Sequence, residues 1–255
     1  MSDTTFRDRV VLVTGGERGI GRGIVLAFAS RGARLVVAHA DDERSAMEAA
    51  EAEAEVRRLG SEVLIVRADV RREADVASLM HDAETRFGRV DVLVNNAGVY
   101  PRALVTEMPM EMFDDTVAVN LRGTFLCCRT VLPGMIARRY GRIVNISSAA
   151  AFAPRVRGAH YAATKAGIIG FARALALEVG PHGITVNVVA PGTVDTEQSR
   201  QELDDPAFAE LARSIPLGRI GTPDDIAGAV LYFASDAASW VTGQTLLVNG
   251  GRLMR

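Results

Sequence analysis

The sequence has few of the residues that covalent cross-links, metal centres or membrane spans require. Only two of its 255 residues are cysteine, and Cys127 and Cys128 are neighbours that cannot join distant segments. It contains no CxxC pair or Cys/His cluster, so we predict no metal centre. No apolar run approaches the roughly 18 residues of a membrane span, and the amino terminus lacks the apolar region of a signal peptide. These absences predict a reduced, cytoplasmic protein without a membrane partner.

The chain also has little net charge. Its 29 basic and 31 acidic residues leave a formal charge of −2. General binding to nucleic acid needs an excess of Lys and Arg to neutralise phosphates, so we predict no nucleic-acid partner. With 48% hydrophobic residues the chain can bury a large core. Its length fits a single domain over residues 1–255.

Short apolar segments alternate with longer amphipathic segments along most of the chain. Seven segments rich in Val, Ile and Leu predict buried parallel strands: 10–13, 34–38, 62–66, 90–94, 142–146, 185–189 and 245–248. Six segments between them have helical periodicity: 20–30, 42–59, 73–87, 110–139, 162–179 and 224–234. The alternation predicts an α/β fold, a doubly wound parallel sheet with helices on both faces. The charged segment 194–217 interrupts the alternation and is a candidate substrate lid.

A glycine-rich turn, TGGERGIG, joins the first predicted strand to the first predicted helix at residues 14–21. Glycines let backbone N–H groups approach a pyrophosphate, and the N-terminus of the helix adds partial positive charge. In this position the turn predicts a dinucleotide-binding site. We assign these residues of the turn to it: Gly15, Glu17, Arg18, Gly19, Ile20 and Gly21.

Tyr161 and Lys165 stand four residues apart on a predicted helix, so their side chains share one face. A free phenol has a pKa of about 10 and is a poor base at neutral pH, but a nearby ammonium group favours the phenolate. The pair can therefore exchange a proton with a carbonyl or alcohol oxygen. Ser148, at the end of a predicted strand, could donate a hydrogen bond to the same oxygen. Ser147 competes with it for this role.

Together these motifs resemble those of the short-chain dehydrogenase/reductase family over essentially the whole chain. Besides the glycine turn, they are NNAG at 95–98, VNLRGTF around Asn120, IVNISS ending at Ser148, and YAATK from Tyr161 to Lys165. The resemblance implies a Rossmann fold and a catalytic tetrad of Asn120, Ser148, Tyr161 and Lys165. It implies hydride transfer between a nicotinamide cofactor and a carbonyl or secondary alcohol, with Tyr161 as general acid/base.

The resemblance also implies that the amino-terminal half binds the cofactor and the carboxy-terminal half binds the substrate. Asn120 would mark a distortion of its helix and hold a water that connects Lys165 to solvent. Beyond the glycine turn, the implied cofactor-binding residues are His39, Asp69, Val70, Asn96, Ala97, Gly98, Tyr161, Lys165, Pro191, Gly192, Val194 and Thr196.

The end of the second predicted strand bears on the choice between NADP(H) and NAD(H). NAD-specific members of the family carry an acidic residue there, whereas this chain has His39. Arg18 resembles the basic residue that NADP-preferring members use for the 2′-phosphate. Asp41 and Asp42 follow closely and could still reach a ribose. We predict a preference for NADP(H) and keep NAD(H) as the alternative.

The substrate is less well defined. Within the family the pattern is most similar to 3-oxoacyl-[acyl-carrier-protein] reductases, whose carrier protein docks on basic residues. Arg139, with Arg138 beside it, matches one docking position, but the second is His182, which is not reliably charged. Arg155 and Arg157 favour an anionic substrate if they line the pocket mouth, and are otherwise solvated charges.

The same motifs are compatible with other functions. Sugar, polyol and steroid dehydrogenases share every motif quoted above, and a catalytically silent NADP(H)-sensing regulator could keep the same fold. The predicted helices 110–139 and 162–179 have broad apolar faces. In similar proteins these helices form one dimer interface and the last strand joins another, so the resemblance implies a homotetramer that acts on a small carbonyl or alcohol.

Overall fold

Seven strands form the sheet at the centre of the computed structural model, which describes residues 6–202 and 204–254. They are β1 (Val10–Thr14), β2 (Arg34–His39), β3 (Val63–Arg67), β4 (Val92–Asn95), β5 (Gly141–Ile146), β6 (Ile184–Pro191) and β7 (Thr245–Val248). All neighbouring pairs are parallel, in the order β3-β2-β1-β4-β5-β6-β7. The chain therefore has the predicted doubly wound Rossmann fold, with its topological switch point between β1 and β4.

Helices cover both faces of this sheet. In the described part of the chain they are α1 (Gly19–Ala29), α2 (Glu43–Arg58), α3 (Glu73–Phe87), α4 (Met110–Val117), α5 (Gly123–Arg138), α6 (Ala159–Val179), α7 (Glu197–Glu202), α8 (Asp205–Arg213) and α9 (Pro223–Ala234). Apolar residues of α3, α5 and α6 pack on one face, and those of α1, α2 and α9 pack on the other. No helix among the described residues is long and apolar enough to cross a membrane.

Successive residues of the central strands point to opposite helix layers. In β1, Val10 and Leu12 pack with α3, α5 and α6, whereas Val11 and Val13 pack with α1 and α9. Every residue of β1 is buried, as predicted for a parallel strand covered on both sides. The expectation of full burial is wrong for β3 and β7, which are mostly half-buried. These are the edge strands, with a hydrogen-bonded neighbour on one side only.

The prediction of one continuous helix over 110–139 is wrong. Helix α4 ends at Val117, a π-helical turn spans Ala118–Arg122, and α5 follows. Asn120 lies in this turn, so the helix distortion that the family resemblance implied is present. The Asn120 carbonyl accepts a hydrogen bond from Thr124 Oγ1 at 2.8 Å, which ties the wide turn to the start of α5.

Two other element boundaries are wrong by more than one residue at their start. Helix α6 begins at Ala159 rather than at 162, preceded by Gly158 without a side-chain cap, so the residues before Tyr161 carry no N-cap signal. Strand β4 begins at Val92 rather than at 90, while the Asp91 carboxylate accepts a hydrogen bond from Val10 N at 3.0 Å. The remaining bounds differ from the predicted ones by two residues at most.

The candidate lid segment, 194–217, contains the short helices α7 and α8. Its two ends are anchored, because Val194 and Ile215 are both buried. Between them α8 buries none of its residues completely. Helix α8 is therefore packed less tightly than the helices that cover the sheet.

Candidate active site

The carboxyl ends of the parallel strands open onto one cavity of about 1300 Å³. This exceeds the roughly 300–1,000 Å³ of an ordinary ligand site and leaves room for a dinucleotide and a substrate together. All the cofactor-binding residues assigned above line it, as do Ser148, Tyr161 and Lys165. Asn120 does not line the cavity and lies behind Gly98, where an added Cβ would stand 3.3 Å from Asn120 Oδ1.

The glycine turn has the shape of a phosphate cradle. Gly15 and Gly19 have φ values of +61° and +51°, a region that other residues rarely adopt. A Cβ at Gly21 would stand 1.9 Å from the Gly15 carbonyl oxygen. Side chains at these positions would fill the cradle and block its backbone N–H groups, so the turn fits the pyrophosphate of a nicotinamide dinucleotide. Thr196 faces it, with Cγ2 3.5 Å from a Cβ placed on Gly19.

Hydrogen bonds join this turn to the end of β4. Asn96 Nδ2 donates to the carbonyls of Thr14 at 3.0 Å and Gly15 at 2.8 Å. The backbone N–H groups of Asn96 and Ala97 both donate to Thr14 Oγ1 at 3.1 Å. The glycine turn after β1 and the loop after β4 are therefore held in a fixed position relative to each other. Sequence reasoning missed Thr14, although a hydroxyl directly before the glycine turn is a usable signal.

A buried carboxylate lies beside this turn. Glu17 is 2% exposed, and its Oε2 has no hydrogen-bond partner among the described residues. Burial raises the pKa of this carboxyl above its ordinary value, more than the nearby Arg18 and His39 charges lower it. Arg18 Nε lies 3.9 Å from Glu17, and Arg18 Nη1 lies 3.5 Å from Glu48. A partly exposed guanidinium thus stands at the cavity wall next to a carboxyl with unused hydrogen-bonding capacity.

The carboxylates that follow β2 are engaged elsewhere. Asp42 caps α2 by accepting from Ser45 N at 2.9 Å and Ser45 Oγ at 2.7 Å. Asp41 is paired with Arg67 at 2.9 Å. His39 is buried, and its Nδ1 lies 2.9 Å from the Ala40 carbonyl oxygen. The two aspartates are therefore already bound to protein groups on the side where a ribose hydroxyl or phosphate would lie.

The segment after β3 forms another wall. Asp69 pairs with Arg71 at 2.8 Å, and this hydrogen-bonded guanidinium holds the pKa of the Asp69 carboxyl below its ordinary value. Asp69 N donates to Asp75 Oδ2 at 3.2 Å, which fixes the turn into α3. Val70 is buried beside it.

Tyr161 and Lys165 meet at the centre of the cavity, with Lys165 Nζ 5.6 Å from the Tyr161 ring centroid. Lys165 is only 4% exposed and donates to the Ile146 carbonyl at 2.9 Å. Burial lowers the pKa of Lys165 to about 8, because removal from water disfavours the charged amine. The Tyr100 ring packs on that of Tyr161, with centroids 4.2 Å apart. Lys165 is also the only lysine in the chain, and the other 28 basic residues are arginine.

The structure separates the two candidate serines. Ser147 is buried and donates from Oγ to the Lys165 carbonyl at 2.7 Å, so its hydroxyl serves the packing of α6. Ser148 Oγ accepts from Ala150 N at 3.1 Å and lines the cavity. Its hydroxyl proton remains available, since no acceptor for it occurs among the described residues.

Asn120 holds the loop after β4 in place. Its Oδ1 accepts from Val99 N at 2.8 Å, while its Nδ2 donates to Val99 O at 3.0 Å and to Thr164 Oγ1 at 3.2 Å. The amide is fully buried and joins the π-helical turn to both the NNAG loop and α6. Its side chain therefore aligns the loop with the helix that carries Tyr161 and Lys165.

The far end of the cavity is built from β6 and the turn after β7. Gly192 N donates to Val248 O at 2.8 Å, and a Cβ at Gly192 would stand 2.7 Å from Asn249 Cβ. Only a glycine permits this approach, which brings the turn containing Asn249 and Arg252 to the cavity. Arg252 was not predicted from the sequence.

The two arginines of the loop before α6 differ in position. Arg157 does not line the cavity and lies 3.6 Å from Glu107, so of the two interpretations it fits that of a solvated charge. Arg155 lines the cavity and donates to Thr193 Oγ1 at 3.3 Å. The Arg157 charge is balanced by an acidic residue far away in sequence, which loop composition alone does not reveal.

The fold and the site define the protein as an NAD(P)-dependent oxidoreductase of the Rossmann class. A family model described as "Enoyl-(Acyl carrier protein) reductase" matches residues 15–252. With the relatives below, this match shows that the chain belongs to the short-chain dehydrogenase/reductase family. The predicted family and enzyme class are confirmed, as is hydride transfer between a nicotinamide cofactor and a carbonyl or secondary alcohol.

The chain is similar to several characterised proteins over nearly its full length. It is 40% identical over 249 residues to the 3-oxoacyl-[acyl-carrier-protein] reductase FabG of Escherichia coli, covering 98% of this chain and 99% of that one. The crystal structure of levodione reductase has a TM-score of 0.91 and 34% identity, covering 97% of this chain and 98% of that one. A 3-oxoacyl-[acyl-carrier protein] reductase from Brucella melitensis has a TM-score of 0.92 and 36% identity, covering 100% and 94%.

Proposed function

We propose that the protein reduces the ketone group of a small molecule, or oxidises the matching secondary alcohol, with NADP(H) as its preferred cofactor. The supporting observation is the convergence of Ser148, Tyr161 and Lys165 at one cavity that also contains the glycine turn. In this proposal Tyr161 gives the proton to the substrate oxygen or takes it back. A bound nicotinamide would supply the hydride chemistry.

The roles of the protein groups follow from their contacts. Ser148 donates its free hydroxyl proton to the substrate oxygen and holds that oxygen beside the phenol. Lys165 favours the phenolate by its charge and has donors left for a ribose hydroxyl, since one is used on Ile146. Asn120 is a positioning residue that aligns the NNAG loop with α6. The glycine turn and Thr196 hold the pyrophosphate.

The NADP(H) preference rests on the groups around Arg18. Its guanidinium is half-exposed at the cavity wall and suited to a 2′-phosphate. Asp41 and Asp42, which could have favoured a free ribose, are engaged with Arg67 and Ser45.

The Arg18→Ala variant tests this preference. We expect the KM for NADPH to rise about tenfold or more while the KM for NADH changes less than about twofold, because only NADPH loses a charge-assisted hydrogen bond. Initial rates at saturating ketone give both constants. Arg57→Ala is the matched control, since Arg57 is paired with Glu53 on the outer part of α2. Equal increases for the two cofactors would refute the assignment.

A 3-oxoacyl thioester is the second candidate for the substrate. The names of the E. coli and B. melitensis relatives favour it. The candidate docking arginines weaken it, because Arg138 donates to Val90 O and Arg139 donates to Pro181 O, each at 2.8 Å. Turnover of an acetoacetyl thioester, compared with a sugar lactone, a steroid ketone and a quinone, separates the candidates. The absorbance of the reduced nicotinamide reports each reaction.

We also propose that residues 1–255 form a single domain in which 194–217 is a substrate lid. We further propose that this domain assembles into a homotetramer. Support for assembly comes from exposed apolar side chains on two faces. Trp240 is 98% exposed and precedes β7, and Leu177 on α6 is 82% exposed. Phe125 and Ile136 on α5 are also exposed. Contiguous patches of exposed apolar side chains are typical of contact surfaces between proteins.

The Trp240→Arg variant tests this assembly. We expect it to sediment as a smaller species than the wild type, because burying an unpaired guanidinium in an apolar interface is costly. Met47→Arg is the control, since Met47 is 63% exposed on α2, away from the proposed faces. Sedimentation velocity at micromolar concentration measures both. A wild-type protein that sediments as a monomer would refute the proposed homotetramer.

A further inference from the structure

Two arginines from distant parts of the chain line the cavity of the candidate active site. Arg155 lies in the loop between β5 and α6, six residues before Tyr161, and Arg252 lies in the turn after β7. Both line the cavity that Ser148 and Tyr161 line. Arg252 is brought there by the close packing of Asn249 on Gly192.

Neither arginine has a carboxylate within 4.0 Å in the described chain, and the only hydrogen bond that Arg155 donates there goes to Thr193 Oγ1. Burial lowers the pKa of Arg252, and the charge of the nearby Arg155 lowers it further. By contrast, Arg157 on the same loop is paired with Glu107 and Arg200 with Asp195. Arg155 and Arg252 are thus two interacting positive charges on the cavity wall, and neither has a carboxylate partner among the described residues.

Like charges held together are unfavourable unless an anion bridges them. Guanidinium groups bind carboxylate and phosphate through paired, charge-assisted hydrogen bonds. We propose that Arg155 and Arg252 bind an anionic group of the ketone substrate, so that the enzyme acts on oxo acids or phosphorylated ketones. This inference rests on the proposed function and names the substrate class of the same site.

The cofactor phosphates are accounted for by other groups. Arg18 and the glycine turn lie after β1, at the switch point of the sheet. Arg155 and Arg252 lie with Gly192 and Asn249, where β6 and β7 end. These two strands are the last of the sheet on the side away from β2. The arginine pair therefore lies on the β6 and β7 side of the cavity, whereas Arg18 follows β1.

Paired substrates test the inference directly. Initial rates are measured at saturating NADPH for a series of oxo acids and their methyl esters, and for phosphorylated ketones and their dephosphorylated forms. We expect the wild type to favour the charged member of at least one pair by about tenfold or more. Arg155→Ala and Arg252→Ala lower kcat/KM for that member by a similar factor and leave the neutral member within about twofold.

Control measurements distinguish an effect on substrate recognition from an effect on folding or on cofactor binding. Arg157→Ala removes a guanidinium from the same loop and leaves both members of each pair unchanged. Melting temperatures and the KM for NADPH remain at wild-type values in Arg155→Ala and Arg252→Ala. A raised KM for NADPH with unchanged ketone kinetics would assign the pair to the cofactor and overturn the inference.

The remaining outcomes distinguish a failure of this inference from a failure of the proposed function. Turnover of ketones by the wild type without preference for any anionic member overturns the inference and leaves the proposed function standing. Equal losses for charged and neutral members in both variants also overturn it. A wild type that turns over no ketone with either cofactor overturns the proposed function and the inference together.

Discussion

Replacing Tyr161 by Phe is expected to lower kcat by about 1,000-fold or more while changing the dissociation constant for the cofactor less than about twofold. The variant keeps the ring that packs on Tyr100 and removes only the group that carries the proton. General acid/base catalysis contributes roughly 10²–10⁴-fold in rate. Steady-state turnover with the most active ketone measures the loss, and cofactor fluorescence measures binding.

Tyr100→Phe is the matched control for this prediction. It makes the same chemical change on the adjacent ring, whose centroid lies 4.2 Å from that of Tyr161. We expect this variant to retain kcat within about fivefold, because the ring contact is kept and the proton donor is intact. Comparable losses in the two variants would mean that Tyr161 is not the specific acid/base group.

Replacing Gly21 by Ala is expected to abolish cofactor binding and to destabilise the protein by about 3 kcal/mol. The added Cβ would stand 1.9 Å from Gly15 O and 2.6 Å from Asn96 Nδ2. The first of these is a backbone atom of the turn itself, so the contact is relieved only by distorting the phosphate cradle. Denaturant unfolding and a cofactor titration measure the two effects.

The control substitution is Gly228→Ala in α9, where an added Cβ meets nothing within 4 Å. Alanine is the better helix former, so this variant is expected to gain about 0.5–1 kcal/mol in free energy of unfolding. Gly21→Ala and Gly228→Ala are thus expected to change the free energy of unfolding in opposite directions. A Gly21→Ala protein that binds cofactor with wild-type affinity would contradict the assignment of the turn.

The sheet could be predicted from sequence because buried parallel strands are nearly continuous apolar runs separated by helical patterns. The apolar pattern does not predict the break in the helix at 118–122, since it continues through the π-helical turn without a glycine or proline inside it, and only the family resemblance at Asn120 indicated a distortion there. Conversely, Pro133 lies within α5 without ending it. The start of β4 and the end of β6 also differ from the apolar pattern, because pairing with a neighbouring strand decides them.

The candidate catalytic residues could be chosen from sequence because the family motifs place them at the ends of strands or at helical spacing, and the structure brings Ser148, Tyr161 and Lys165 to one cavity. Arg252 could not be chosen in this way, because its position depends on the close approach of Asn249 to Gly192. The family resemblance selects Ser148 over Ser147, but the physical reason for the choice is visible only in the structure. That distinction depends on which hydroxyl bonds to the Lys165 carbonyl across 18 residues of sequence.

The solitary Lys165 gives this chain an unusual spectroscopic property. A protein grown with isotope-labelled lysine would carry its label at one side chain only, and that side chain is buried beside Tyr161. Its nuclear magnetic resonance signal therefore needs no assignment. The chemical shift would follow protonation of the amine through the catalytic cycle, without a mutation or a chemical probe in the active site.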